Sequence, residues 1–351
     1  MRKEHPSGIA VPFMAMVGCN VLWGISFPLM AIVNRLVTGQ DLPVGSPLGL
    51  DPSASLALTL AAFYLVIRFL SALVMLRGIL PDLIRNTSRS EWRRGLLVGL
   101  FSGMGMVLQV VGLSEIPASR SGFLTSLSVV ITPILMIVIE RALPRAFVIA
   151  GCAVACAGTA VLCGLFDPRT GIVVFDGVLM TGDILTIIAS FLFGIAIIVI
   201  DESSKGINPA HLTAGMLLGV ALVSVPVLFW CVVAMPNPTA DLATWGSFIV
   251  TPSFLGLTLA MSFACTVIPF FWMNKYQSYF TPAHASLIYT LEPIFATLWA
   301  LFIPGLLSPL FGVDYASERP GFELFFGGGL ILFGNLLALA KLPKRRIQAL
   351  N

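Results

Sequence analysis

The sequence predicts an all-α polytopic membrane protein, with ten transmembrane helices arranged as two inverted five-helix repeats. Three observations carry this. First, the chain of 351 residues is 57% hydrophobic and only 11% charged, less than half the charged share of about 25% that a soluble domain needs to face water. Second, the apolar residues fall into ten runs near the roughly 20 residues that cross a hydrocarbon core, too long and continuous for barrel strands of about 10. Third, a shift of 164 residues aligns two separate pairs of these runs, so five spans recur. Five is odd, so the second set lies upside down relative to the first.

The spans run as follows. Span 1 (11–33) carries Asn20, Trp23 and Phe27 at helical spacing. Span 2 (55–76) carries Arg68, a charge well inside the span. Span 3 (94–113) holds Ser102 and Gln109, with Gly95, Gly99 and Gly103 at steps of four, which read as a close-packing face. Span 4 (120–139) places Ser121, Thr125, Ser128 and Thr132 on one stripe. Span 6 (178–200) carries Asp183, Thr186 and Ser190; span 7 (211–235) is apolar. Span 8 (249–272) carries Ser262, Thr266 and Pro269, and span 9 (282–303) His284, Tyr289, Glu292, Phe295 and Trp299. Spans 5 (146–166) and 10 (322–340) have small residues in place of a polar stripe, Gly151, Ala155 and Gly158 in one and Gly327, Gly328, Gly329 and Gly334 in the other. Those two read as peripheral packing helices. A Ser or Thr stripe also serves ordinary interhelical hydrogen bonding, so no single stripe defines a site.

Charge fixes the expected orientation. With the N-terminus inside, fifteen basic residues fall in inner segments, among them Arg2, Lys3, Arg93, Arg94, Arg141 and Arg345; the outer segments hold four, Arg35, Arg120, Arg169 and Arg319. Excess Lys and Arg mark the cytoplasmic side, so both termini are expected there. The net charge of +3 is too small to suggest nucleic acid. The start "MRKEHPSGIAVPFMAMVGCN", with Gly18 before Cys19, has the outline of a lipoprotein signal. Met16 is a poor residue three before the cysteine, Pro12 interrupts the run, and apolar sequence continues to Val33, so span 1 is retained. Cys152, Cys156, Cys163, Cys231 and Cys265 lie within spans without metal-site spacing and read as small apolar packing residues.

The 164-residue offset pairs Gly18 with Gly182, Ser26-Phe27 with Ser190-Phe191, and Leu127 with Leu291. The remaining pairs need extra residues only in outer loops, in "DLPVGSPLGLDPSA" and "LLSPLFGVDYASER". The two repeats are 1–170 and 171–351, forming one membrane domain. Inverted repeats favour a site near the bilayer midplane between the halves. The candidate cavity residues are Asn20, Trp23, Phe27, Gln109, Thr125, Ser128, Asp183, Ser190, Thr266, Tyr289, Glu292 and Trp299.

Glu292 stands out in "HASLIYTLEPIFATLWALF". A charge at a helix centre costs on the order of 3 kcal/mol on insertion scales, so it persists when it faces a cavity, has a partner or stays protonated. Pro293 lacks an N–H and disrupts the preceding turn, which leaves carbonyls free at the same depth. The pair makes a polar notch, suited to a substrate contact or a proton-carrying group; a protonated Glu bonded to a neighbouring helix is the plainer alternative. Arg68 has a stem long enough to snorkel toward the cytoplasmic end of span 2, with pairing to Glu292 the weaker alternative. Arg120 and His284 occupy equivalent repeat positions and read as helix ends or gates.

The motifs "WGISF" (23–27), "RFLSAL" (68–73), "ASRSGFLTSLSVVITPIL" (118–135), Glu140-Arg141 and "PAHASLIYTLEP" (282–293) together resemble the drug/metabolite transporter superfamily, of the EamA type. The resemblance implies two five-span repeats enclosing a central cavity lined by spans 1 to 4 and 6 to 9, and places Trp23, Gly24, Phe27, Arg68, Phe69, Glu140, Glu292 and Pro293 on family positions. It also implies movement of amino acids, other metabolites or toxic compounds, often outward, across a bacterial inner membrane. Ala31 stands where a basic residue is frequent, and Pro304-Gly305 where Gly-Glu is common.

The expected function is secondary transport of a small metabolite, with the lipid bilayer and a small-molecule substrate as partners and Glu292 as the coupling candidate. The competing class is a polytopic membrane enzyme such as a lipid-modifying transferase. That class needs paired acids or a His/Asp dyad at one interface, whereas His5, His211 and His284 are scattered. Neither a metal nor a cofactor is expected, and no phosphate-binding Gly loop followed by Lys is present for ATP. Composition leaves the oligomeric state open.

Overall fold

The computed structural model describes residues 9–45, 52–116, 118–141, 145–162, 166–167, 172–173, 180–317, 319 and 321–339. Every apolar run read from the sequence holds helix. The helices are α1 (Ala10–Thr38), α2 (Pro52–Ile79), α3 (Leu83–Asn86), α4 (Arg89–Glu115), α5 (Ala118–Ser126), α6 (Ser128–Glu140), α7 (Ala146–Leu162) and α8 (Thr181–Ser203). They continue with α9 (Pro209–Val233), α10 (Pro238–Ile249), α11 (Pro252–Ser262), α12 (Ile268–Tyr276), α13 (Pro282–Tyr289), α14 (Glu292–Ala300), α15 (Ile303–Phe311) and α16 (Phe322–Leu339). A two-residue antiparallel pairing, Phe166–Asp167 with Ile172–Val173, is the extended structure among the described residues.

Local chemistry explains where helices begin. Ser88 accepts the Glu91 N–H while Glu91 accepts the Ser88 N–H, a reciprocal cap for α4. In the second half, Asn208, Thr251 and Thr281 each cap a helix whose first residue is proline, Pro209, Pro252 and Pro282. Proline there loses no helical hydrogen bond and arrives with its φ already set.

Six helices among the described residues are long and apolar enough to cross a membrane, and a seventh forms if α13–α14 and α15, bent by 57°, count as one span. Three shorter apolar helices, Leu124–Ile139, Ala146–Val161 and Phe325–Leu337, occupy the positions of spans 4, 5 and 10. The protein is therefore a multi-pass membrane protein, with Val138, Phe229, Phe325 and Leu336 among the large apolar side chains it exposes.

Small residues set the closest approaches. A Cβ on Gly95 would lie 2.6 Å from Gly215 Cα, and one on Gly99 2.7 Å from Gly219 Cα, so α4 and α9 touch backbone to backbone. Gly158 meets the Gly327 carbonyl at 2.7 Å and Gly334 the Gly151 carbonyl at 2.6 Å, which pairs α7 with α16. Gly24 seats α1 against the Phe295–Ala296 backbone of α14. The contacts of α4 on α8, of α6 on α8 and of α4 on α9 have counterparts in those of α1 on α12, of α1 on α14 and of α2 on α11, and α2 packs on α9 as α7 does on α16.

Three features depart from the sequence reading. Span 4 is divided at Leu127 into α5 and α6, and span 8 contains a π-helical turn, Phe263–Val267, between α11 and α12. The connections expected to be loops hold α10 and α15. Trp245 of α10 is fully buried, stacks on Phe63 at 5.0 Å and donates its indole N–H to the Pro43 carbonyl at 2.8 Å. α15 is followed by Gly312 in the left-handed region (φ 65°), and Arg35 then holds the next segment, donating to the Asp314 carbonyl at 2.6 Å and lying over the Tyr315 ring.

Candidate functional site

Between the halves lies a cavity of about 160 Å³. Its walls come from α1 (Trp23, Ser26, Phe27, Met30), α2 (Tyr64, Leu65, Arg68), α4 (Ser102, Met106, Gln109), α5 and α6 (Gly122, Thr125, Ser126, Ser128), α8 (Phe193, Ile197), α9 (Met216), α12 (Phe270, Met273) and α13–α14 (Tyr289, Glu292, Pro293). Among the described residues α7 and α16 contribute none, in keeping with their pairing at the periphery.

Glu292 is the first residue of α14, directly after the interruption at Thr290–Leu291. Its cause is local: Pro293 offers no N–H to the Tyr289 carbonyl, and Thr290 and Leu291 instead bond back three residues, to Leu287 and Ile288. The carboxyl thus sits at the positive end of a half-helix, facing the cavity. Among the described residues it has no hydrogen-bond or ion-pair partner. A second interruption, at Leu127, puts Ser128 at the first position of α6, also on the cavity wall.

Arg68 is the second ionisable group of the wall. Nε donates to Thr266 Oγ1 at 2.7 Å, Nη1 to the Tyr64 hydroxyl at 2.6 Å and Nη2 to the Cys265 carbonyl at 3.0 Å. The Cys265 carbonyl is free because the residue four ahead is Pro269, which has no N–H. The guanidinium therefore turns inward and joins α2 to the π turn of the other half. This corrects the reading of a side chain snorkelling to the helix end, because three acceptors at its own depth outcompete the longer path. No ion pair joins it to Glu292 among the described residues.

Aromatic and amide groups complete the wall. Trp23 packs tilted on Tyr289 (5.5 Å) and Phe270 (5.6 Å). The Tyr289 hydroxyl donates to Gln277 Oε1 at 2.8 Å, and Gln277 Nε2 to the Ile197 carbonyl at 2.8 Å, so α13 is tied to α8. Gln109 Nε2 donates to Thr125 Oγ1 at 2.8 Å, which ties α4 to α5.

Of the candidate cavity residues, Trp23, Phe27, Gln109, Thr125, Ser128, Tyr289 and Glu292 line the cavity. Thr266 stands behind it as the Arg68 acceptor. The other four lie elsewhere. Asp183 is buried at the start of α8, where Oδ2 accepts the Met180 N–H; it caps the helix. Asn20 donates to the Met16 carbonyl of its own helix at 2.7 Å, and Trp299 donates to the Val21 carbonyl at 3.0 Å, fastening α14 to α1. Ser190 is buried, and among the described residues its hydroxyl has no partner. His284 is buried at the start of α13 with Nδ1 2.6 Å from the Thr281 hydroxyl, a helix-end position. The side chains of Arg120 and Glu140 lie outside the described residues, as does Cys163. Cys19 is buried within α1 and donates to the Pro269 carbonyl.

Sequence reading missed Tyr64, Phe270 and Gln277. Tyr64 had a signal, since it lies four residues before Arg68 and shares its helix face. Phe270 and Gln277 had none of comparable strength.

A bundle that crosses the membrane repeatedly and holds, between its halves, a largely apolar chamber with an unpaired acid at a broken helix is built as a membrane transporter. The chain belongs to the EamA-like transporter family, whose model matches residues 49–164 and 180–340. α1 and its WGISF segment lie outside that match. An uncharacterized transporter of Archaeoglobus fulgidus is 23% identical over 283 residues, covering 81% of this chain and 75% of its own. A solved crystal structure, described only as that of a protein, superposes with a TM-score of 0.58 at 17% identity, covering 95% of this chain and 98% of its own; it shares the fold.

Proposed function

We propose that the protein is a secondary transporter that carries a small metabolite, an amino acid or related compound, outward by alternating access, with the central cavity as its binding site. Ten helices cross the membrane as two inverted repeats, 1–170 and 171–351. The counterpart helix contacts and the two successive stretches matched by the family model support the duplication. An odd number of spans per half would invert the second, and the excess of basic residues in the segments on one side supports cytoplasmic termini; a bacterial inner membrane is the setting that the family resemblance implies.

One observation carries the reading: Glu292 faces the chamber at a helix break with no partner among the described residues, and Ser128 follows a second break on the same wall. A carboxyl there binds a proton or a polar substrate group, but not both at once, and that exclusion is the simplest form of coupling. The remaining candidates act as walls: Trp23 and Tyr289 as flat apolar surfaces, Gln109, Thr125 and Ser128 as hydrogen-bonding groups. Flux of radiolabelled candidate metabolites in proteoliposomes tests this, with an imposed proton gradient expected to drive uptake by the wild type. A purified protein that moves none of a broad metabolite panel in either direction overturns it.

A further inference from the structure

A second concavity lies on the outside of the bundle, in the seam between α4 and α9, and encloses about 820 Å³. Its floor is where the two helices touch at Gly99 and Gly219, so side chains on either flank rise above a backbone trough. The flanks are Leu96, Leu97 and Leu100 on one side and Leu222 and Val223 on the other; Leu97, Leu100 and Leu222 are exposed. Ser90, Arg93 and Arg94 close one end.

Charge and length name an occupant. Arg93 is exposed and, among the described residues, has no hydrogen bond or ion pair. Arg94 spends one N–H on the Lys205 carbonyl, and its other donors remain. Of the nearby acids, Glu91 accepts the Ser88 N–H and contacts the His211 ring, and Glu202 pairs with Lys205 and also attracts Arg94, which leaves Arg93 the freer of the two guanidinium groups. From Arg93 the groove wall continues through Leu97 to Leu100, roughly 10 Å of helix and about a third of a hydrocarbon core of about 30 Å, enough to seat the upper part of one acyl chain. Arg93, exposed and without a partner among the described residues, and Arg94 beside it stand at the end of an apolar trough, an arrangement complementary to an anion carrying an acyl chain.

We propose that the α4–α9 groove is a binding site for an anionic phospholipid, its phosphate held by Arg93 and Arg94 and one acyl chain lying along Leu97, Leu100 and Leu222. The site is separate from the central cavity and its occupancy is read without transport. The test is native mass spectrometry of delipidated protein titrated with phosphatidylglycerol or with phosphatidylcholine of the same chains. Wild type is expected to retain phosphatidylglycerol at least tenfold more tightly, and Arg93→Gln/Arg94→Gln to reduce that preference to within about twofold. The control pair Arg77→Gln/Lys275→Gln removes two exposed cations outside the groove and is expected to keep the preference. Equal retention of the two lipids, no change in the Arg93→Gln/Arg94→Gln protein, or an equal loss in the control pair each overturns the proposal.

Discussion

Arg68 donates its Nε–H to Thr266 Oγ1 across 2.7 Å, joining α2 of the first half to the π turn of the second. Charged hydrogen bonds to neutral acceptors contribute about 1.5 to 3 kcal/mol each, and a buried donor left without its acceptor costs a similar amount. Thr266→Val, close to isosteric, is expected to destabilise the protein by about 1 to 3 kcal/mol. Arg68→Ala, which also removes the donors to the Tyr64 hydroxyl and the Cys265 carbonyl, is expected to cost more. The two changes are expected to be less than additive, since both remove the same contact. Thermal unfolding in detergent of the four proteins of the cycle measures this.

The α4–α9 contact leaves no room for a side chain at Gly99. Gly99→Leu is expected to push the helices apart and lower stability by about 1 to 3 kcal/mol or more. Gly256, inside α11, has nothing within 4 Å of a built Cβ, so Gly256→Ala is expected to change stability by less than about 1 kcal/mol, in the favourable direction if at all. The contrast between the two melting temperatures is the check.

Trp245 anchors α10 with its ring on Phe63 and its N–H on Pro43. Trp245→Ala is expected to cost about 3 to 5 kcal/mol, as large-to-small changes of buried aromatics do. Trp245→Phe keeps a ring against Phe63 but loses the hydrogen bond to Pro43 and part of the packing, an intermediate cost of about 1 to 3 kcal/mol. A denaturant titration followed by intrinsic fluorescence separates them.

Tyr289→Phe removes the hydroxyl that donates to Gln277 and leaves the packing on Trp23 in place. The expected loss of stability is about 1 kcal/mol, with a rise in KM because the ring that walls the cavity is no longer held by Gln277. Proteoliposome kinetics against substrate concentration distinguish this from a defect in turnover.

What could be read from the sequence, and what could not, follows from how local each signal is. Long apolar runs reveal helices because backbone groups in lipid must be satisfied within the segment, and Pro293 announces the break before Glu292 by its own chemistry. The packing faces of Gly95 and Gly99, or of Gly151 and Gly158, are equally local, since only small residues at helical spacing let backbones touch. The break at Leu127 carries no proline at its own position, and Pro133 lies well inside α6. The direction of Arg68 depends on acceptors about two hundred residues away in sequence, Thr266 Oγ1 and the Cys265 carbonyl. Asp183, a polar residue within an apolar run, reads from the sequence as a cavity residue, and in the structure its carboxylate accepts the Met180 N–H at the start of α8. α10 and α15 were hidden because short helices lying outside the spans lack a full apolar run; Asn237-Pro238 was the available start signal.

The central claim is that Glu292 carries the proton that drives transport. Flux into proteoliposomes under an imposed proton gradient, measured for wild type and for Glu292→Gln across pH, tests it most directly. The account predicts gradient-driven accumulation in the wild type, and in Glu292→Gln only pH-independent equilibration or none. Accumulation by Glu292→Gln equal to wild type at every pH contradicts it.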